Sequence, residues 1–387
     1  MSAVTYCTNI HPGESWAQTL ASLENHTLAV KAALSPDEPF PVGLRVSGQA
    51  SLELDIREAE RFRHWLALSG LYVRTLNGFP YGRFHHVPVK AGVYLPDWRD
   101  PERLAYTKRL ADLLGWWLPD DGSDAGPGSI STVPLGFRDG FDPGQEGLAF
   151  RHLRQALEHL DAVAQRTGKL IRLSLEPEPG CLLETTVDVV DFFRRFEAPP
   201  SLSPYLAVCY DCCHQALQFE DPAASLTLLA DNAVPIGHVQ VSSALHLESG
   251  CLDRLARFDE PVYLHQAVGR RSNGELLRLD DLPQALAGGR YDVESWRVHF
   301  HLPVFLAELP ECLSTQGFLQ EALPRFDPQT PLEVETYTWS VLPAELRACS
   351  LTESIIREIS WVEAHRRPGR TPGPPPWPAC AGGAPPR

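Results

Sequence analysis

Short apolar segments recur along the chain and alternate with stretches that have the periodicity of amphipathic helices. Val, Ile, Leu and Tyr dominate these segments, and several are hydrophobic almost without interruption, as in strands that are covered on both faces. Such alternation is typical of a parallel sheet with crossover helices. The pattern therefore predicts an α/β fold, a (β/α)8 TIM barrel, with strands at 4–10, 42–47, 72–78, 129–136, 170–176, 206–211, 238–243 and 333–338.

Helical periodicity fills the intervals between the predicted strands. In the stretch 152–163, Leu153, Leu157, Leu160 and Val163 fall on one face at helical spacing. Such a face predicts packing against the sheet and not a binding role. The predicted helices cover 57–68, 102–114, 147–166, 185–196 and 223–230.

Two regions depart from this alternation. The interval 244–332 is too long for a plain crossover and carries two further strand-like pieces, which predicts an insertion over the barrel mouth between the seventh and eighth strands. Residues 368–387 are rich in Pro and Gly and predict a disordered tail, because this composition cannot form a packed core. Residues 1–367 are therefore expected to form one barrel domain.

The composition restricts the class of partner. A formal net charge of -15 at pH 7 would repel nucleic acid and anionic lipid, so we expect a small polar metabolite as the ligand and no nucleic acid. The sequence contains no apolar run of about 18 residues, and its first residues lack both a basic leader and an apolar signal core. We expect a cytoplasmic protein without direct membrane insertion.

Four polar residues stand at the carboxyl ends of consecutive predicted strands, where barrels of this architecture build their active sites: Glu176, Asp211, Gln240 and Glu335. Three buried carboxylates at one barrel mouth repel one another unless a cation binds between them. Three carboxylates and one amide oxygen favour Mg²⁺ or Mn²⁺, with Zn²⁺ as the alternative. We therefore predict one divalent metal ion. For each residue alone, a hydrogen bond that ends the strand is the competing interpretation.

His214 follows Asp211 by three residues, which places it one helical turn away, beside the predicted metal. One interpretation is a hydrogen bond from its imidazole to a substrate oxygen. The other is a histidine that caps the helix after the strand.

The motifs LEPEPG (Glu176), DCCH (Asp211 and His214), GHVQVSS (Gln240) and EVETYTW (Glu335) resemble the metal motifs of the xylose-isomerase-like superfamily of sugar isomerases and epimerases. Ketose 3-epimerases, hydroxypyruvate isomerases and inosose dehydratases belong to it. The epimerases usually have histidine as the third ligand, whereas this chain has Gln240, as hydroxypyruvate isomerases do. Many relatives place an arginine about six residues later, where this chain has His246.

A second resemblance spans nearly the whole chain apart from the Pro/Gly-rich end. The stretches NIHPGESW, RTLNGFPYGRFH, VKAGVYLPDW, GSISTVPLGF and VHFHLPVF resemble the EboE family of metabolite traffic proteins, encoded in bacterial ebo clusters that are associated with moving secondary-metabolite precursors. This resemblance implies a role in metabolite traffic, with other proteins of an ebo cluster as candidate partners.

Further polar residues are expected at the barrel mouth. Glu184 resembles a glutamate that supports the metal or contacts substrate in the superfamily. Two histidines alternate on one predicted strand and so share a face, where they either close over the site or pack within the insertion. The residues in the loops after the first and third predicted strands, His11, Asn77, His85 and Lys90, either recognise substrate or stabilise turns. The complete set of predicted substrate-binding residues is His11, Asn77, His85, Lys90, Glu184, His246, His299 and His301.

The chemistry that fits this site is proton abstraction beside a carbonyl, with the metal polarising the carbonyl oxygen. In the related epimerases, two glutamates exchange protons on opposite faces of the sugar, which implies that Glu176 and Glu335 are base and acid, assisted by His214. The alternative is a protein that binds and delivers a metabolite without transforming it. An apurinic-site endonuclease of the same fold is disfavoured by Gln240 and by the acidic charge.

Overall fold

Eight parallel strands form the central sheet of the computed structural model, which describes residues 4–120, 126–248, 251–289 and 291–366. The first seven strands follow one another around the sheet in chain order, and the last strand lies between the seventh and the first. A parallel bridge between Cys7 and Gly43 joins the edges next to the first and second strands. The predicted (β/α)8 barrel is confirmed. Its strands are β1 (Val4–Tyr6), β2 (Phe40–Arg45), β3 (Leu71–Asn77), β4 (Gly128–Thr132), β5 (Ile171–Leu175), β6 (Leu206–Asp211), β7 (Ile236–Val241) and β13 (Leu332–Val334).

Each of these strands overlaps a predicted strand, but several end earlier than the apolar pattern predicts. After β1, residues Thr8–Ile10 form a 3-10 helix, and after β13 the chain turns into a second 3-10 helix at Tyr337–Val341. Glu335 therefore lies just beyond its strand, not within it. This position leaves its side chain at the mouth of the barrel.

The predicted helices are observed; four are extended by one to three residues at their ends, and the one predicted at 185–196 begins one residue later, at Thr186. Several begin where a side chain caps the first turn: Asp55 accepts from Glu58 N, and Asp100 caps a helix whose first residue is Pro101. The pattern did not predict the helices around residues 16–34 and 351–365. The α-helices are α1 (Trp16–Ser22), α2 (Leu28–Leu34), α3 (Gly48–Glu53), α4 (Ile56–Ser69), α5 (Pro101–Trp117), α6 (Glu146–Thr167), α7 (Thr186–Phe196), α8 (Cys212–Leu217), α9 (Pro222–Asp231), α10 (Leu282–Ala287), α11 (Gln316–Ala322) and α12 (Leu351–His365).

The main hydrophobic core lies between the sheet and these helices. Leu153, Leu157, Leu160 and Val163 of α6 are fully or almost fully buried there, as their spacing predicts. Helices α5 and α6 approach closely at Gly115, where an added Cβ would lie 2.9 Å from a methyl of Val163. The barrel wall is thus closely packed beneath the loops at its mouth.

The chain between β7 and β13 forms a second, antiparallel sheet with the strand order β10-β9-β11-β8-β12. This sheet has its own apolar cluster, which includes Trp296, Phe300 and Phe258. Val262 O accepts hydrogen bonds from the backbone N–H groups of Val89 and Lys90, which follow β3. We call this segment the cover; its strands are β8 (Ser243–Leu247), β9 (Ala267–Arg270), β10 (Leu276–Leu279), β11 (Ser295–Leu302) and β12 (Leu313–Ser314).

The tail predicted at 368–387 lies outside the described residues. Among the helices of the described part of the chain, none combines the length and the apolar character needed to cross a bilayer.

Candidate metal centre

Three carboxylates converge at the barrel mouth. Glu176 follows β5, Asp211 ends β6 and Glu335 follows β13, and one oxygen of each lies within 4.8 Å of an oxygen of the other two. All three side chains are buried. The strand-end positions in the sequence therefore do bring these three residues into one group.

Burial and mutual repulsion act on the acidity of this group. Burial raises the pKa of Glu176 and of Glu335 well above the usual value, and the neighbouring carboxylates raise it further. The pKa of Asp211 is also raised by burial. Without a cation, the site therefore resists full ionisation.

Two oxygens of the group have no hydrogen-bond partner among the described residues, although they are buried: Glu176 Oε2 and Asp211 Oδ2. Buried polar atoms are normally paired, so unpaired carboxylate oxygens that share one space indicate a missing positive partner. Carboxylate oxygens are the donors that hard divalent cations prefer. This donor set fits a divalent metal.

Hydrogen bonds hold one carboxylate oxygen of Glu335 and one of Asp211. Oε1 of Glu335 accepts from Asn9 Nδ2 at 2.7 Å and from Asn77 Nδ2 at 3.2 Å. Oδ1 of Asp211 accepts from the backbone N–H groups of Cys213 and His214, at 2.6 and 3.0 Å, and so caps α8. One oxygen of Glu335 and one of Asp211 are thus held by hydrogen bonds.

Gln240, the fourth predicted ligand, pairs in register with Asp211 on one side and with Glu333 on the other. Its side chain is fully buried, and within the described part of the chain neither amide atom makes a hydrogen bond of full geometry, although the amide is close enough to Glu333 to lower the pKa of that carboxyl. An unpaired buried amide beside the carboxylates is compatible with ligation through oxygen.

Glu333 is a buried carboxylate of the barrel interior that sequence reasoning missed. Burial raises its pKa to about 8, while the neighbouring side chains of Gln240 and Cys7 act in the opposite direction. Its carboxylate lies 2.6–2.8 Å from the point where a Cβ on Gly43 would stand, so the glycine makes room for it. The alternation of Glu333 and Glu335 on one strand was the available signal.

Three histidines lie beside the carboxylates. His214 Nε2 is 3.2 Å from His299 Nε2, which is 3.0 Å from His301 Nε2. Burial lowers the pKa of His214 to about 3 and of His301 to about 4, and it lowers that of His299 well below its usual value. His299 and His301 come from β11 of the cover, so the cover contributes directly to the centre.

A small cavity of about 40 Å³ connects these groups to the mouth. Aromatic side chains form much of its wall, together with the acids and histidines already described: Phe79, Phe84, Tyr94, Tyr263 and Tyr337.

Of the predicted substrate-binding residues outside the histidine group, Asn77 and Lys90 line this cavity. The amide of Asn77 is engaged by Glu335, so it orients the carboxylate. Lys90 Nζ contacts Asp281 Oδ2 at 2.8 Å and donates to the backbone oxygen of Glu260. It thereby joins the loop after β3 to the cover.

The remaining predicted substrate-binding residues do not line the cavity. His11 stacks on His26 at a centroid distance of 4.3 Å, and His85 bonds the backbone oxygen of Asn9 at 2.6 Å. Glu184 pairs with Arg138 and Arg278. His246 lies on β8 of the cover.

Besides Glu333 and Asn9, three further buried polar residues beside the site were not predicted. Tyr94 donates to Glu178 Oε1 at 2.8 Å, and Gln266 Nε2 donates to the Tyr94 hydroxyl at 2.9 Å. Burial raises the pKa of Glu178 to about 8. Glu178 stands two residues after Glu176 in LEPEPG, and this proximity was its only signal in the sequence.

The chain matches no known family profile and no curated protein. Among solved structures, it is similar to a xylose isomerase-like TIM barrel protein from Mycobacterium smegmatis in complex with magnesium, at 13% identity over 94% of this chain and 97% of that one, with a TM-score of 0.52. It is also similar to the probable 3-DHS dehydratase AsbF from Bacillus anthracis (13% identity, 94% and 99% covered, TM-score 0.48) and to the IOLI protein with a bound zinc atom (12%, 94% and 97%, 0.45). The chain thus has the fold of xylose-isomerase-like TIM barrels.

Proposed function

We propose that this protein is a divalent-metal-dependent isomerase or epimerase that abstracts a proton beside the carbonyl of a small polar metabolite. One observation carries the proposal: Glu176, Asp211 and Glu335 lie together at the barrel mouth, buried and short of hydrogen-bond partners. The likeness to a magnesium-containing barrel shows the fold alone. The donor chemistry of the three acids favours Mg²⁺ or Mn²⁺, with Zn²⁺ as the alternative.

A metal held by Glu176, Asp211, Gln240 and Glu335 would polarise the substrate carbonyl and stabilise negative charge on its oxygen. Glu176 and Glu335 follow β5 and β13, which are separated in the barrel by β6 and β7, so they approach a ligand from two directions. One glutamate removes the proton and the other returns a proton to the neighbouring carbon or oxygen. Asn9 and Asn77 hold Glu335 in place for this transfer.

The chain also excludes water from the reacting carbon. Tyr337 and Tyr263 pack edge to face at a centroid distance of 4.9 Å, and Phe84 contacts both rings. Ligand pockets usually have volumes of roughly 300 Å³ or more, so the cover must shift before a metabolite of sugar size can enter. Closure over the ligand would then protect the intermediate from solvent.

Metabolite traffic in an ebo-type cluster, with export of a secondary-metabolite precursor, is the second candidate function. The observation that favours it is the small cavity beside the cover, which would hold a bound molecule as well as a reacting one. His246 lies away from the cavity, and Lys90 is paired with Asp281. The ligand is therefore expected to be neutral and rich in hydroxyl groups in both cases.

Hydrogen exchange distinguishes the two functions. The manganese-loaded protein is incubated in D₂O with ketohexoses and ketocyclitols, and deuterium at the carbon beside the carbonyl is followed by NMR. We expect exchange in the wild type and a loss of at least roughly 100-fold in E176Q and E335Q, since general acid-base catalysis contributes on the order of 10²–10⁴. Glu184→Gln, outside the lining of the cavity, is the matched control and should exchange normally. Metal-dependent binding without exchange would decide for the carrier.

A further inference from the structure

The histidine group places Nε2 of one ring, His299, close to the Nε2 atoms of two others. His299 Nε2 stands between His214 Nε2 at 3.2 Å and His301 Nε2 at 3.0 Å, and all three side chains are buried. Two of these residues belong to the cover and one to α8 of the barrel. The contacts of these rings determine whether Nδ1 or Nε2 of each histidine carries the proton.

The Nδ1 atom of each ring faces an oxygen that can only accept a hydrogen bond. His214 Nδ1 lies 2.9 Å from the backbone oxygen of Pro177, and His301 Nδ1 lies 2.9 Å from that of Glu335. His299 Nδ1 lies 2.6 Å from Gln266 Oε1. Each Nδ1 therefore carries the proton, and in the neutral ring each Nε2 presents a lone pair.

The amide of Gln266 is itself oriented by its neighbours. Its nitrogen donates to the backbone oxygen of Pro179 at 3.0 Å and to the hydroxyl of Tyr94. Pro179 O is an acceptor only, so the atom that faces His299 must be the amide oxygen. The protonation of His299 at Nδ1 is thus fixed by a chain of contacts that ends on the backbone.

Three lone pairs at these separations cannot form hydrogen bonds with one another, and 3.0–3.2 Å between nitrogens leaves no room for a bridging water. A shared cation does fit. With metal–nitrogen bonds of about 2.0–2.1 Å, two ligands are separated by about 2.9 Å in octahedral and about 3.3 Å in tetrahedral geometry. The observed separations fall within this interval. Metal-bound histidines also characteristically donate the other ring N–H to a carbonyl, as these do.

An oxygen completes the group. Asp211 Oδ2, which has no hydrogen-bond partner, lies 3.7 Å from His214 Nε2, and ligand atoms of Asp211, His214 and His301 lie within 4.8 Å of one another. Asp211 also belongs to the carboxylate group, so one residue borders both sites. The Cys213 thiol lies within the same distance of His299 and His301.

We propose that His214, His299 and His301, with Asp211, form a second cation site that takes a different metal from the carboxylate site. Imidazole nitrogen suits Zn²⁺ and its first-row neighbours, whereas carboxylate and amide oxygens suit Mg²⁺ and Mn²⁺. The centre is therefore a mixed one, with a nitrogen-rich half on the cover side and an oxygen-rich half on the barrel side. This inference does not depend on the proposed reaction.

Metal binding to the full chain tests the proposal. Protein stripped with chelator is titrated with Zn²⁺ alone, Mn²⁺ alone and both together, and bound metal is measured by elemental analysis after gel filtration. The wild type should bind one equivalent of each from the mixture. H299Q should bind Zn²⁺ on the order of 100-fold more weakly while its Mn²⁺ affinity stays within about threefold, because each lost ligand or ligand-orienting partner costs about 10- to 100-fold or more.

E176Q is expected to show the opposite pattern, and His246→Gln, a histidine of the cover outside the centre, should match the wild type. If Zn²⁺ and Mn²⁺ compete for one equivalent in total, or if H299Q binds Zn²⁺ as the wild type does, the proposal is overturned. X-ray absorption of the zinc-loaded wild type provides a measurement without substitution. At least three nitrogen ligands would support the site, and an all-oxygen shell would contradict it. No turnover is measured, so failure here is distinct from failure of the proposed reaction.

Discussion

Asn9 Nδ2 donates a hydrogen bond of 2.7 Å to Oε1 of Glu335, so the turn after the first barrel strand holds the carboxylate that follows the last one. Both residues are buried, and Asn77 adds a longer bond of 3.2 Å to the same oxygen. The second oxygen of Glu335 lies 3.5 Å from His301 Nδ1 and would be the one offered to the proposed metal. The asparagines thus connect the closure of the barrel to the geometry of the centre.

Replacing Asn9 with Ala should weaken Mn²⁺ binding by about tenfold, because a ligand whose orienting partner is removed loses on the order of 10- to 100-fold in affinity. Asn77→Ala should have a smaller effect, since its bond is longer. Isothermal titration calorimetry with Mn²⁺ shows which of the two variants loses more affinity. Equal affinities in wild type and N9A would contradict the role given to Asn9.

Metal removal should lower stability, because the buried acids then repel one another. Adding Mn²⁺ at 100 times its Kd to stripped protein should stabilise the fold by about 2.7 kcal/mol. Differential scanning calorimetry measures this gain as a rise in Tm. D211N keeps the shape of the side chain but lacks its charge, and its Tm should respond much less to Mn²⁺; an unchanged response would remove Asp211 from the ligand set.

Gln240→His should shift the metal preference of the carboxylate site toward Zn²⁺, because it replaces an amide oxygen with an imidazole nitrogen. When Zn²⁺ and Mn²⁺ compete for the protein, the ratio of bound zinc to bound manganese should change by on the order of tenfold relative to wild type. The measurement is best made in the H299Q background, where the proposed second site no longer takes up zinc. An unchanged zinc-to-manganese ratio would indicate that Gln240 is not a ligand.

The contact between Lys90 and Asp281 should retard opening of the cover. Both side chains are partly exposed, so the ion pair is worth at most about 1 kcal/mol, which corresponds to an increase in opening of up to about fivefold when it is lost. Hydrogen–deuterium exchange of β9 and β10 in Lys90→Met should rise accordingly. Arg325→Met, which removes an exposed pair with Glu321, serves as the control. Protection unchanged from wild type would show that other contacts hold the cover.

Glu358 should make stability fall as pH rises. Burial raises its pKa from 4.5 to about 7 in the folded state, so its favourable contribution is complete below the unfolded pKa and is lost as pH increases through about 7. E358Q should therefore gain stability relative to wild type between pH 5 and pH 8, by up to about 3 kcal/mol at 1.36 kcal/mol for each pKa unit.

Urea unfolding at the two pH values measures the Glu358 effect. The side chain accepts from the Thr336 hydroxyl and the backbone N–H of Val304, beside the loop that carries Glu335. Glu321→Gln, on the surface, should show no such trend. A pH dependence that is the same in E358Q and wild type would mean that other buried acids account for it.

The sequence predicted the barrel and the placement of its acids because both depend on local pattern. An apolar strand that ends in a carboxylate brings that carboxylate to the mouth wherever the strand lies in the barrel. Glu176, Asp211 and Glu335 obey this rule. The alternation of His299 and His301 likewise places both on one face of β11, and the sequence left open whether that face meets the site.

The predictions for individual loop residues depended on tertiary contacts that no local pattern records. His11 is held by His26, which lies in a π-helical turn at Leu23–Thr27 that the periodicity did not indicate. His246 was located by counting from Gln240. However, the chain leaves the barrel at Val241 and enters the antiparallel sheet of the cover at Ser243. Six residues after Gln240 the chain is therefore in the cover and not at the barrel mouth.

The cover interrupts the barrel between β7 and its last strand, and this order has a consequence for synthesis on the ribosome. Val4 of β1 pairs with Leu332 of β13, so the partner of the first strand is synthesised only after nearly the whole described chain. Until then β1 and β7 are unpaired edges of an open seven-stranded sheet, and such edges invite pairing with other chains. The cover, emerging before β13, can fold while the sheet is still open, and closure of the barrel then becomes a late, slow step dominated by contacts distant in sequence.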